Sequence, residues 1–205
     1  MKKYHSEDLL NELEADVRQI IATATLLKME DPGHLLQQPA MGKWSVIQVM
    51  EHLNSYGRYY LLEMEKVMEH ESHASPHFKP GWLGDYFTRL MRPTENGEIK
   101  HKMQAPRNHR PSKLLDAFPV INTFMEQQHY LLNLLDKARG KNIGHLRVPV
   151  SIARFIKLKL GDTFRFFIAH EQRHFVQLAK GLEQVKEKEG RLLVTRKTAH
   201  SRRFV

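Results

Sequence analysis

His170 and His174 stand four residues apart in a run that holds neither proline nor glycine from Asp162 to Lys180. In a helix that spacing sets both imidazoles on one side, a turn apart, where two rings can chelate one cation. They share that side with Phe167 and Leu178, so the rings should turn inward. A buried imidazole has to find hydrogen bonds or a metal. Two readings follow: core histidines satisfied by backbone or water, or metal ligands. With 13 histidines in 205 residues, on the order of one pair at any given offset arises by accident, so spacing alone does not decide. The other pair of this kind, His73 and His77, encloses Pro76, which breaks the helical alignment. With His70 it reads as a loop or surface group.

A third histidine changes the balance. His52 lies three residues after Val49 and four before Tyr56, beside a second apolar stripe. If the two stripes face each other, three imidazoles meet. Neutral nitrogen donors suit zinc, nickel, iron or copper. Three protein ligands leave a position open for water or substrate, as in catalytic rather than structural sites. The chain has no cysteine. Disulfides, thiolate ligands and a cysteine nucleophile are thereby excluded, and the composition suits a reducing cytoplasm.

Glu171 adds a further possibility, because His170-Glu171-Gln172-Arg173-His174 satisfies H-E-x-x-H. On a helix that motif places a glutamate as general base beside a zinc held by both histidines. The longer protease signature requires glycine at 177 and histidine at 180, and this chain has Gln177 and Lys180. A metalloprotease is therefore not expected. Glu171 remains the candidate catalytic base, set against a surface carboxylate pairing with Arg173. The second reading is favoured, since Glu171 lies about 100° around the helix from His170. Tyr56, Tyr59 and Tyr60 are candidates to orient a substrate or simply pack. Gln48, one turn before His52, is a candidate support for that ring. Trp44 and Trp82 read as structural anchors, and His129 as a boundary residue rather than a fourth ligand.

The elements that position these groups follow from apolar periodicity. Leu9, Leu13, Val17, Ile20, Ala24 and Leu27 predict a first helix over 6–29, capped by Ser6. Val46, Val49, Leu53, Tyr56, Tyr60, Met64 and Val67 predict a second, with Ser45 as its cap. A third spans about 112–139, with Leu114 on its apolar face, Pro119 kinking it or marking its regular start, and Gly140 closing it in the left-handed conformation. A fourth runs from Leu160 to about Lys186. Between the second and third lies a long connection, 75–111, carrying five prolines and a short helix at Trp82–Met91. Only Leu146–Ile152 reads as extended. Four amphipathic helices with one face each to hide make an all-α four-helix bundle, with 1–186 as its domain and 187–205 as a basic tail.

Two segments resemble the DinB/YfiT-like superfamily. Lys43-Trp44-Ser45-Val46-Ile47-Gln48-Val49-Met50-Glu51-His52-Leu53 is similar to the family's Trp-Ser helix start with a histidine eight residues after the tryptophan. Gly161 to His174, ending Ala169-His170-Glu171-Gln172-Arg173-His174, is similar to its Ala-His-Glu-x-x-His segment. With the helix order, the similarity spans most of 5–186. It implies an up-down-down-up four-helix bundle, often a homodimer, with a divalent ion (zinc, nickel or iron) on His52, His170 and His174. It also implies a metal-dependent transferase using a low-molecular-weight thiol, or a metal-dependent hydrolase. A non-catalytic metal-binding stress or interaction bundle is the alternative.

Charge narrows the partners. The net charge is +9. Residues 1–88 hold 8 basic against 13 acidic side chains, 89–113 hold 7 against 2, and 186–205 again 7 against 2. Arg191, Arg196, Lys197, Arg202 and Arg203 make the tail basic, but no stacking aromatics or nucleic-acid motif accompany them, so nucleic acid is not an expected partner. No apolar run reaches 18 residues, and the start turns acidic before any apolar stretch. Neither a membrane span nor a signal peptide is expected.

Overall fold

A computed structural model of the chain describes residues 2–100 and 103–201, the stretch 192–201 by its backbone alone. Its helices are α1 (Ser6–Leu27), α2 (Pro32–Leu36), α3 (Val46–Met68), α4 (Trp82–Met91), α5 (Ala117–Ala138) and α6 (Leu160–Ser201). Two short antiparallel pairs accompany them: β1 (Tyr4–His5) with β2 (His77–Phe78), and β3 (Arg147–Val150) with β4 (Ala153–Lys159). The molecule is mostly helical, and among the described residues no helix is long and apolar enough to cross a membrane.

The predicted stripes form the core. Leu9, Leu13, Val17, Ile20, Ala24 and Leu27 of α1 are all buried. In α3 the Ser45 hydroxyl accepts from the Gln48 amide while the Gln48 side chain accepts from the Ser45 amide, a reciprocal cap worth about 1 kcal/mol. Gln48 is thus engaged at the helix start, and its side-chain nitrogen donates to the Ser112 carbonyl rather than to His52.

Several boundaries differ from expectation. Ser6 is the first residue of α1, and His5 occupies the cap with no side-chain bond. Helix α5 starts at Ala117, because the Asp116 carboxylate caps it by accepting from Phe118. Leu114 falls outside, 91% exposed. Pro119 lies in the first turn, where its missing N–H costs nothing. Gly140 does not close α5 in a left-handed conformation. Among the described residues positive φ occurs at Gly42 and Gly97, and α5 ends at Arg139 with right-handed backbone. Strand β3 falls inside the stretch read as extended, but β4 was not expected. Of its residues only Leu158 is buried, so it has no apolar alternation to read.

Helix α6 runs past Lys186 to Ser201. No proline interrupts it, an Arg191–Glu187 pair bridges one turn, and side chains tie it to the α1–α2 corner. Lys186 meets Glu30, Glu189 meets His34, and Lys188 reaches the Pro39 carbonyl. The basic side chains at 196 and 197, and Arg202 and Arg203, lie outside the described side chains.

In packing, α3 lies against α5 and α6, and α1 against the same two. Asn54 donates to the Val120 carbonyl at 2.9 Å, and Lys137 reaches Glu65 at 3.1 Å, so α3 and α5 run the same way. Arg139 at the end of α5 bonds Glu7, Asn11 and Glu14 near the start of α1. Phe124, Phe164, Phe167, Met50, Leu53 and Met64 are fully buried at the centre, each contributing roughly 1.5–3 kcal/mol.

Helix α4 is held on α6 by two devices. Gly84 packs so closely that a Cβ there would lie 2.4 Å from the Asp162 Cβ. Buried Arg165 bonds Asp162 at 3.3 Å and Asp85 at 3.0 Å, while Asp162 also accepts from the Gly81 amide at 2.7 Å. Phe87 is thereby set against Phe166, one turn before His170. Trp82, at the start of α4, is 73% exposed and is not the anchor expected.

Candidate metal centre

His52 comes from α3, and His170 and His174 from α6. His52 follows Ser45 by seven residues, so the reciprocal cap that starts α3 also sets the phase of its ring. One ring nitrogen from each of the three residues lies within 4.8 Å of the others. His52 and His170 are 2% and 3% exposed, and His174 keeps partial solvent contact.

The nitrogens are oriented as well as close. Nε2 of His170 and Nε2 of His174 are 3.1 Å apart. Two lone pairs cannot face each other at that distance, so a proton or a cation must lie between them. Ligands at about 2.0–2.1 Å from a tetrahedral ion would be separated by about 3.3 Å, so the spacing fits a shared ion. His52 Nδ1 donates to the His109 carbonyl at 2.7 Å. His174 Nδ1 lies 2.9 Å from the Gln177 side-chain oxygen. In both, the outer nitrogen carries the proton and the inner one keeps its lone pair. His170 Nδ1 is buried without a partner among the described residues.

Aromatic rings surround the cluster. Trp44 lies 5.1 Å from His52 between ring centres, Tyr56 4.5 Å from His170, and Phe166 stacks on His170 at 6.1 Å. This apolar shell disfavours charge on every imidazole. Burial holds His52 below the ordinary range, against the pull of the His109 carbonyl. Burial, then the neighbouring His174, His52 and Arg173 charges, push His170 well down. Burial takes His174 down to about 3. All three are neutral at pH 7, the state a metal requires. The donor set, its spacing and its protonation state fit a divalent ion.

A family model for the DinB superfamily matches residues 9–178. The chain belongs to the DinB superfamily. A search of curated proteins and a search of solved structures found no match. Within the DinB match lie both segments that carried the resemblance and all three clustered histidines.

The other predicted site residues fall differently in this DinB-superfamily chain. Glu171 is not a surface carboxylate: it is 2% exposed and accepts from Gln128 of α5 at 2.6 Å. Burial pushes its carboxyl up to about 8, against the Gln128 bond. Its carboxyl is thus bonded to α5, whereas the His170 and His174 rings gather with His52 of α3. Tyr56 borders the cluster, whereas the Tyr59 and Tyr60 hydroxyls are taken by the Pro149 carbonyl and the Ser151 amide. His129 is exposed on α5 and stands apart, and His70, His73 and His77 are exposed.

Two residues at the site were not expected there. Gln177 follows His174 by three residues on the same helix side, a spacing that could have revealed it. His109 has no such signal. It comes from the long connection, 57 residues after His52.

Proposed function

We propose that this DinB-superfamily chain is a divalent-metal-dependent enzyme acting on a small molecule. Transfer of a low-molecular-weight thiol is the leading reaction, and hydrolysis the next. The observation that carries the reading is the three clustered, neutral imidazoles, two of them fully buried, with ring nitrogens within 4.8 Å of one another. His52, His170 and His174 would hold zinc, nickel or iron. A divalent ion there supplies Lewis-acid polarisation and lowers the pKa of a thiol or water that reaches it. Trp44, Tyr56 and Phe166 exclude water and lower the local dielectric, which strengthens electrostatic interactions at the centre. Positive charge on the α4–α5 connection favours an anionic cosubstrate. Glu171, bonded to Gln128 and still protonated near pH 7, is not the proton acceptor in this reading. The helix contacts support an up-down-down-up order of α1, α3, α5 and α6.

The test is metal analysis of the purified protein beside His52→Ala and His170→Ala, followed by thiol-consumption assays with an electrophile. We expect about one divalent ion per chain in the wild type and loss in both variants. Equal metal content in all three would end the reading. A second reading, a metal-binding bundle without turnover, is favoured by the deep burial of His52 and His170. X-ray absorption of the loaded protein showing a shell saturated by protein ligands would select it.

A further inference from the structure

The α4–α5 connection lays a short 3-10 turn, Arg107–His109, onto α3. The His109 ring is buried and stacks on Tyr56, with centres 3.8 Å apart and planes at 25°. Its Nδ1 lies 2.9 Å from the Ser55 hydroxyl, and its Nε2 3.1 Å from the Ser151 hydroxyl. Ser55 Oγ is in turn 2.7 Å from the His52 carbonyl.

One proton assignment satisfies every contact. Carbonyls only accept, so the Ser55 hydroxyl donates to the His52 carbonyl, and His52 Nδ1–H donates to the His109 carbonyl. Ser55, its single hydrogen used, accepts from His109 Nδ1–H. His109 Nε2 is then unprotonated and accepts from Ser151. His52 and His109 thus close a ring of hydrogen bonds through Ser55, and the β3–β4 turn braces it from outside.

We propose that His109 is a positioning residue for the metal centre. Its ring, clamped by Ser55, Tyr56 and Ser151, keeps its own carbonyl on His52 Nδ1 and so sets both the tautomer and the orientation of His52. A free neutral histidine in water favours the opposite tautomer, with the proton on Nε2, which would aim an N–H at the cation site. The proposal deepens the metal reading and rests on it for its purpose. The hydrogen-bond ring itself belongs to the metal-free chain.

The test pairs two measurements. Long-range proton–nitrogen NMR of the metal-free protein at pH 7.5 reads the His52 tautomer directly. Competition with a chelator reads Co2+ affinity, and the visible spectrum reports coordination. We expect a His52 Nδ1–H form in the wild type, replaced by Nε2–H in His109→Ala. Co2+ affinity should fall about 10–100-fold with a changed spectrum. His109→Asn, which keeps a donor where Nδ1 stood, should recover part of the loss. Ser151→Ala touches only the outer brace and should shift tautomer and affinity in the same direction, less far, even if His109→Ala folds poorly. A wild-type His52 carrying its proton on Nε2 overturns the proposal. So does an unchanged tautomer and affinity in His109→Ala, or in Ser151→Ala where His109→Ala does not fold. A wild type that binds no Co2+ yet shows the expected tautomers overturns the metal reading instead, leaving the His109 clamp on His52 standing.

Discussion

Two inner residues of α6, His174 and Glu171, respond to pH in opposite senses. Burial lowers His174 to about 3, so below the ordinary imidazole value of about 6.5 the unfolded chain binds a proton that the fold refuses. The metal-free protein should therefore lose stability as pH falls from about 6.5 towards about 3, readable as a declining Tm. Glu171, raised from 4.5 to about 8, works the other way. Between those values the fold keeps a proton that the unfolded chain releases, so stability falls as pH rises. Glu171 Oε2 and Gln128 Oε1 have no partner among the described residues, as suits an acid that still carries its hydrogen. Glu171→Gln should raise the metal-free Tm at pH 8, by about 2–4 °C per kcal/mol recovered, with little gain near pH 5. Equal gains at both pH values would show an ionised carboxylate. At this scale the three histidines were legible in sequence because each sits on an apolar stripe. Glu171 was misjudged, because a helical wheel gives its angle but not that α5 fills the space it faces.

Helix α4 is the element most dependent on close approach. Gly84→Ala must push α4 off Asp162, a clash expected to cost about 1–3 kcal/mol. Thermal unfolding should show the loss, and limited proteolysis should show earlier cutting within 82–91. Asp162→Ala should cost more, about 3–5 kcal/mol, because it leaves the buried Arg165 guanidinium with Asp85 as its remaining carboxylate. A neutral result for both would mean that α4 is held mainly by Phe87 and its apolar neighbours. The long helices were legible from Leu, Val, Phe and Met at three- and four-residue steps. Helix α2 was missed, since Pro32–Leu36 buries only Leu35 and gives no period. The far half of α6 was missed because its stability comes from Glu30, His34 and Pro39, remote in the chain.

For the molecule as a whole, a bound ion should act as a staple between α3 and α6. At a free concentration 100 times its Kd, it adds about 2.7 kcal/mol to stability. Chelation should lower the wild-type Tm by several degrees and leave His52→Ala unmoved. A shift of equal size in both would place the stabilising ion elsewhere. Because His109 closes on His52, loading should also slow hydrogen exchange of backbone amides in 103–112. The sequence could not announce that coupling, since the connection's five prolines and scattered charges carry no period. One further consequence belongs to α6. A single unbroken shaft carries His170 and His174 at the cluster and Glu189 at the α2 corner, about four turns beyond. Removing one residue between them would spin everything downstream by about 100° and retract it by about 1.5 Å. Whole revolutions do not rescue the register, because a seven-residue change, close to two turns, restores the facing but slides Glu189 about 10.5 Å along the axis, out of reach of His34.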